Sequence, residues 1–369
     1  MTGLLLILNL IAIGLLIDRG IFFDDFVGQW QLCAYALHGI DPYPLIGVET
    51  PAIAELGAIP SGWGTAPWGL LLGNFFYAGF LRLDAAESLF IVLNLMWLLL
   101  TAFLFFLKSR ELSTLIMFLC PASFAIAMFT GNAGAIICAM LLTCVLIAEQ
   151  LPIPAAVLLS LAMVKPQIAL AFCILFLFQR RFKLLMTAAT IDLASWLIVS
   201  IVVERSPVVL LQEFLQANVG GGAQFSGIFT LFIDSPNSAM LASMILGAAF
   251  IHALRSVDAT CLASAFWSYS FFNEFFVLTL PAMSCFRLKK KLLGIALHVG
   301  IVFWTAVAFW HRRQLELGLI ENDGVIAELF RLEDWLEVRT IFCLLFIAAG
   351  FFLHQSPPSP SSPSLSSKS

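Results

Sequence analysis

Residues 88–107 read SLFIVLNLMWLLLTAFLFFL, and apolar runs of this kind recur along the chain. Such a run is long enough to cross a bilayer as a helix, which takes about 20 residues. A β-barrel would instead show ~10-residue segments of alternating hydrophobicity. Hydrophobic residues make up 61% of the chain and charged residues only 11%, whereas soluble domains carry about a quarter charged residues. That much apolar surface cannot be hidden in a water-soluble core. The sequence therefore predicts an all-α polytopic membrane protein. The net charge of −4 gives no reason to expect a nucleic-acid partner.

About twelve spans can be placed. They fall at 3–18, 86–107, 112–129, 133–149, 152–164, 166–179, 184–203, 238–255, 258–272, 274–286, 291–310 and 339–354. Several are shorter than a straight crossing needs, which suits tilted, half-buried or broken helices. Lys108 and Arg110 share one short loop, Arg180, Arg181 and Lys183 another, and Arg287, Lys289, Lys290 and Lys291 a third; Arg255 lies in a fourth. Lys and Arg favour cytoplasmic loops. With the N-terminus inside, all four loops are cytoplasmic. The loops 18–85, 204–237 and 311–338 are then outer loops of one transmembrane domain over 1–354, and 355–369 is a Pro/Ser-rich disordered tail. The opening MTGLLLILNLIAIGLLID has no basic n-region and no A-x-A site, and reads as an uncleaved first helix. Segment 66–81, APWGLLLGNFFYAGFL, is expected as a helix along or dipping into the outer surface, because a span there would invert the next basic loop.

Eight cysteines occur without a C-x-x-C pair, and only Cys33 falls in a loop. Neither a disulfide framework nor a metal site is implied. No cofactor is expected.

Residues 22–43, FFDDFVGQWQLCAYALHGIDPY, follow the first span. Phe26, Trp30, Cys33 and Leu37 recur at helical spacing, with Asp25 and Gln29 off that stripe. This predicts an interfacial amphipathic helix with two acids at its start, ended by Gly39 and Pro42. Asp is a favoured N-cap, but two acids exceed what a cap needs. Lys165 stands inside an apolar run before Pro166. It either snorkels to the headgroups or faces an anionic group such as phosphate. FTGNAGA, 129–135, is an outer turn in which Gly131 and Asn132 are either plain turn residues or a donor amide. Asn273 and Glu274 form another outer turn, where capping is the plain alternative. Arg205, His311, Arg312 and Arg313 are outer basic residues that could hold phosphate or pair with nearby acids. Glycines 220–222 suit a linker or a gate. Asp192 lies in a span and should pair or protonate.

Taken in order, these features resemble the polyprenol-phosphate-sugar-dependent glycosyltransferases of the GT-C class, and among them glycosyltransferase family 87, the mannosyl- and arabinosyltransferases. The likeness rests on Asp25-Phe26, Tyr35, Ala36 and Gly39-Ile40-Asp41-Pro42-Tyr43. It continues through the Pro60–Leu72 region, Gly131-Asn132, Lys165-Pro166, Gln179-Arg180-Arg181 and Tyr269–Phe275, over about residues 1 to 290. The chain departs from the family's Gly-Gln-x-Asn at Asn132 and matches Tyr-x-x-Asp-Tyr only loosely at Asn273-Glu274. The resemblance implies a GT-C-like bundle and transfer of a sugar from a polyprenyl-phosphate donor to a lipid or glycan acceptor. It implies one Asp as general base, Asp25 with Asp24 as the alternative. Lys165, Arg205 and Asn132 are then the candidates for the donor phosphate, and Tyr43, Asp41, Gln167, Asn273 and Glu274 for the substrate. A transporter or lipid-linked-sugar flippase would also carry intramembrane charges and broken spans. A non-catalytic envelope-assembly protein, or a ligase using diphosphate-linked glycans, would be compatible with the same features.

Overall fold

The computed structural model describes residues 24–60, 65–110, 131–219 and 236–266, with a few single positions beyond them. The expected spans 3–18 and 291–310 and the loop 311–338 lie outside the described residues, as does nearly all of 112–129, 274–286 and 339–354. Among the described residues every regular element is helical. In chain order they are α1 (Asp24–Leu37), a 3-10 turn (Tyr43–Leu45), α2 (Pro67–Leu72), α3 (Asn74–Tyr77), α4 (Leu83–Ser109) and α5 (Gly134–Ile147). Then follow α6 (Pro152–Ala162), α7 (Pro166–Phe178), α8 (Phe182–Val202), α9 (Pro207–Val219), α10 (Pro236–Leu254) and α11 (Val257–Phe266).

Two of these, α4 with 27 residues and α8 with 21, are long and apolar enough to cross a membrane. Neither stands near the N-terminus, and only 33% and 22% of their apolar windows are buried by the rest of the chain. A core helix of a soluble protein would be mostly covered. Val92, Leu95, Met96, Leu99 and Phe103 of α4 instead face outward, as do Leu193, Leu197 and Ile201 of α8. These faces suit contact with lipid.

The expected spans 152–164 and 166–179 are the short helices α6 and α7, interrupted at Met163-Val164-Lys165. At 1.5 Å per residue, α7 is about 20 Å long and cannot cross a ~30 Å hydrocarbon core upright. The interruption has a local cause. A residue before proline is pushed out of the α region, and Lys165 sits at φ −117°, ψ 80° with Pro166 opening α7. Segment 66–81 forms the two short helices α2 and α3. The expected outer loop 204–237 departs from a plain loop, since it contains the 13-residue helix α9.

Packing follows membrane-protein logic, in which close helix contact is made through small residues. Ala135 and Ala139 of α5, Ala155, Ala156 and Ala162 of α6, and Ala169 and Ala171 of α7 are all buried in the main core. α5 lies between α4 and α6, α6 against α8, and α7 against α10 and α11. Polar side chains join neighbouring helices. Thr101 Oγ1 donates to the Ala139 carbonyl at 3.2 Å and lies 3.0 Å from Thr143 Oγ1. Ser160 Oγ donates to Asp192 Oδ1 at 2.6 Å, which gives the acid in α8 its partner.

Helix α1 differs from an interfacial helix. Phe26, Trp30 and Cys33 enter the main core as the stripe predicts, while Leu37 is 40% exposed. The opposite face is covered too. Leu32, Tyr35 and Ala36 join a second core with Tyr43, Ile59, Leu70, Val199, Val203 and Leu210. The reason is visible in the sequence once both faces are read: the second stripe is itself apolar and aromatic. The helix ends at Gly39 (φ +75°), with Gly39 N–H donating to the Ala36 carbonyl and Ile40 N–H to that of Tyr35. This is the paired closure a left-handed glycine allows.

Candidate functional site

Three residues far apart in sequence meet at helix starts. Asn132 Nδ2 donates to Asp25 Oδ2 at 2.9 Å, across 107 positions. Lys165 Nζ donates to Asn132 Oδ1 at 2.6 Å, across 33 positions. The same amide oxygen accepts Gly134 N–H at 2.8 Å. Asn132 is therefore used at both ends, oxygen toward the ammonium and the helix amide, nitrogen toward the carboxylate. Turning the amide over would set donors against donors. Asp25 and Asn132 are buried, at 6% and 4% exposure, and Lys165 is half-buried.

Each partner sits where it does for a local reason. Asp25 is in the first turn of α1, one residue after Asp24, whose side chain lies outside the described residues. Asn132 precedes α5 and accepts one of its N–H groups, which have no partner inside the helix. Lys165 occupies the position before Pro166 in the α6–α7 interruption. The N-termini of α1, α5 and α7 thus converge on one point. Helix N-termini carry partial positive charge and favour anions. Asp25 is the acid at that point, and Lys165 adds a full positive charge.

The surrounding frame is hydrogen-bonded. Trp68 Nε1 donates to the Met163 carbonyl at 2.9 Å, and Ser195 Oγ donates to the Trp68 carbonyl at 2.6 Å. These bonds tie the α6–α7 interruption to α2 and α8. Gln167, in the first turn of α7, is half-buried beside Lys165 in sequence. One turn along α1 from Asp25, Gln29 Oε1 accepts a hydrogen bond from Thr65 Oγ1.

Other candidate residues gather elsewhere. Asp41 Oδ1 accepts Tyr43 N–H at 3.1 Å, and Arg205 Nε lies 3.6 Å from Asp41 Oδ2. Arg205 thus pairs with an acid, which was the plain alternative for it. Tyr43 is buried, donates its hydroxyl to the Thr65 carbonyl at 2.6 Å and sets its ring 5.9 Å from that of Phe214. Burial and neighbouring Asp41 push the Tyr43 phenol well above its ordinary range. Asp41, Tyr43 and Arg205 therefore hold the 41–45 segment, α9 and the end of α8 together. Asn273 and Glu274 lie outside the described residues, as do His311, Arg312, Arg313 and glycines 220–222.

Reading the sequence alone missed Glu213, which faces Asp41, and the frame built on Trp68. Glu213 is an ordinary polar residue of an amphipathic helix in sequence. Among the described residues no group of three or more His, Cys, Asp or Glu could hold a metal ion.

No family model, curated protein or solved structure matches this chain.

Proposed function

We propose that this chain is an integral membrane glycosyltransferase with a GT-C-like bundle of about twelve spans. In this reading it moves a mannose-like or pentose sugar from a polyprenyl-phosphate donor to a lipid or glycan acceptor on the outer face of a bacterial inner membrane. One observation carries the reading. A buried carboxylate and a lysine are held on either side of one amide, where three helix N-termini converge.

The chemistry needs few protein groups. The acceptor oxygen attacks the anomeric carbon as the bond to the phosphate oxygen breaks, and the phosphate leaves with the electron pair. Phosphate leaves readily at neutral pH, so no protein acid need protonate it. That differs from glycosidases, which need two carboxyl groups. One base must take the acceptor proton, and a positioned carboxylate contributes about 10²–10⁴-fold in such steps. Asp25 is that base, with Asp24 its alternative, and attack from the face opposite the phosphate inverts the anomeric carbon. Lys165, the donor side of Asn132 and the α5 and α7 N-termini favour the charge that develops on the phosphate. Asn132 also fixes the direction of the Asp25 carboxylate. Gln167, two residues after Lys165, is a candidate for the substrate.

A second reading has one observation in its favour. The interrupted α6–α7 pair with a lysine at the break is also what a transporter or lipid-linked-sugar flippase would use to hold an anion at mid-membrane.

The experiment is transfer by the reconstituted protein. Radiolabelled polyprenyl-phosphate-mannose, with the arabinose donor in parallel, is supplied with a membrane-lipid extract as acceptor. Label should move to product in the wild type and fall by at least about 10²-fold in Asp25→Asn. Loss confined to Asp24→Asn would reassign the base. Donor crossing the bilayer without sugar transfer would select the flippase reading.

A further inference from the structure

A second cluster of ionisable groups lies apart from the Asp25–Asn132–Lys165 triad. Asp41 is 8% exposed, and its Oδ2 is fully buried with no hydrogen-bond donor among the described residues. Glu213 of α9 is half-buried, but its Oε2 is likewise enclosed and without a donor among the described residues. Helix α9 packs on the 3-10 turn Tyr43–Leu45, with the Phe214 ring 5.9 Å from that of Tyr43, and this brings the neighbouring Glu213 carboxyl to bear on that of Asp41. Two ionised carboxylates can only accept, so this arrangement is repulsive as long as both are charged. A single proton turns it into an O–H···O⁻ bond, among the stronger hydrogen bonds in proteins.

We propose that Asp41 and Glu213 share one proton, and that this proton clasps α9 onto the 41–45 segment in the acidic range and releases it in the alkaline range.

The neighbouring groups set the direction. Arg205 Nε lies 3.6 Å from Asp41 Oδ2, so its positive charge favours placing the shared proton on the Glu213 side. Glu213 then carries the proton, and its carboxyl is pushed up to about 7, first by the hydrogen bond to Asp41, then by burial and by the Asp41 charge, with Arg205 opposing. Tyr43 is neutral in this range, since burial raises its phenol further. Cys33 of α1 is also pushed up by burial, to about 12. Glu204 is exposed in the turn before α9. His38 turns Nδ1 toward its own helix, at the Ala34 carbonyl, 2.8 Å away. Helix α2, PWGLLL, brings no ionisable side chain. The sign follows from linkage. A carboxyl raised in the docked state stabilises docking fully below its ordinary range, near 4.5, and the contribution is lost as pH rises through about 7. What then remains at the joint is Leu210 in the second core, the Tyr43–Phe214 ring contact and the Arg205–Asp41 pair.

Hydrogen–deuterium exchange of the full chain in nanodiscs tests this without any activity. Peptides covering 207–219 are followed from about pH 5.5 to about pH 8.5, corrected for intrinsic exchange. Wild-type protection should fall roughly tenfold, the equivalent of about one pKa unit. Glu213→Gln offers an N–H to Asp41 at every pH and should hold its protection across the range. Glu213→Ala should be weakly protected throughout. If Glu213→Gln does not fold, Asp41→Asn places the permanent donor on the other partner and should behave the same way. Flat wild-type protection, or a Gln variant as pH-sensitive as the wild type, would overturn the proposal. So would protection restored at alkaline pH by magnesium or calcium, which would make a metal the shared ligand.

Discussion

Asn132 concentrates more of the site's order than either charged residue. Its amide satisfies a carboxylate, an ammonium and a helix-start N–H at once. Removing it leaves all three without that partner in a buried place, and an unsatisfied buried polar group costs about 1–3 kcal/mol, more when charged. Asn132→Leu should therefore lower the melting temperature of the detergent-solubilised protein and reduce sugar transfer. Asn132→Asp should do worse, because it sets a second acid against Asp25. An Asn132→Leu protein that melts and transfers like the wild type would remove the amide from the argument. Lys165→Met is a separate case. Its ammonium donates to an amide rather than directly closing a core. Transfer should fall by roughly 10²–10³-fold with only a modest change in melting, as for loss of one preorganised charge-stabilising donor. Lys165→Arg should recover little, because a planar fork does not replace a compact ammonium at one amide oxygen.

The helical elements were largely legible in the sequence, and the reason is periodicity and punctuation. Gly39 closes α1 where the sequence places its end. Pro166 and Lys165 mark the interruption between the two short helices α6 and α7. Asp25, Asn132 and Lys165 each stood out alone, as an acid at the lipid boundary, a turn amide and an intramembrane lysine. Their meeting was not legible, since nothing local in sequence ties position 25 to 132 or 132 to 165. Glu213 was invisible for the same reason: its meaning comes from Asp41, which sits under a different helix. The covering of α1 was missed because one apolar stripe drew attention from the other. Close packing at this helix yields its own test. A methyl group on Gly79 would lie 2.6 Å from the backbone nitrogen of Ala34, which cannot step aside. Gly79→Ala should therefore destabilise the protein by about 1–3 kcal/mol through overpacking, read as a lowered melting temperature.

At the scale of the whole molecule, charge and chemistry separate to opposite ends. The triad and the Asp41–Glu213 pair lie at the starts of α1, α5 and α7 and beyond the end of α8. Lys108, Arg110, Arg180, Arg181 and Lys183 lie at the other ends of α4, α7 and α8. Arg82 and Arg205 are exceptions, each lying 3.6 Å from an acid, Asp84 and Asp41 respectively. Lys and Arg favour the cytoplasmic side, so the proposed reading expects the triad on the outer side. Single cysteines in a cysteine-free background of the full chain test this assignment. A membrane-impermeant maleimide added to intact cells should label cysteine at His38 or Glu55. It should reach cysteine at Arg110 or Lys183 only after the membrane is opened. Cysteine at Leu99 or Phe103, which face outward from the middle of α4, should resist the reagent under both conditions, as lipid-covered positions do. Labelling of Arg110 and protection of Glu55 in intact cells would place the triad on the cytoplasmic side. A polyprenyl-phosphate donor presented on the outer leaflet could then not reach Asp25, and the proposed transfer would have to draw its sugar from inside the cell.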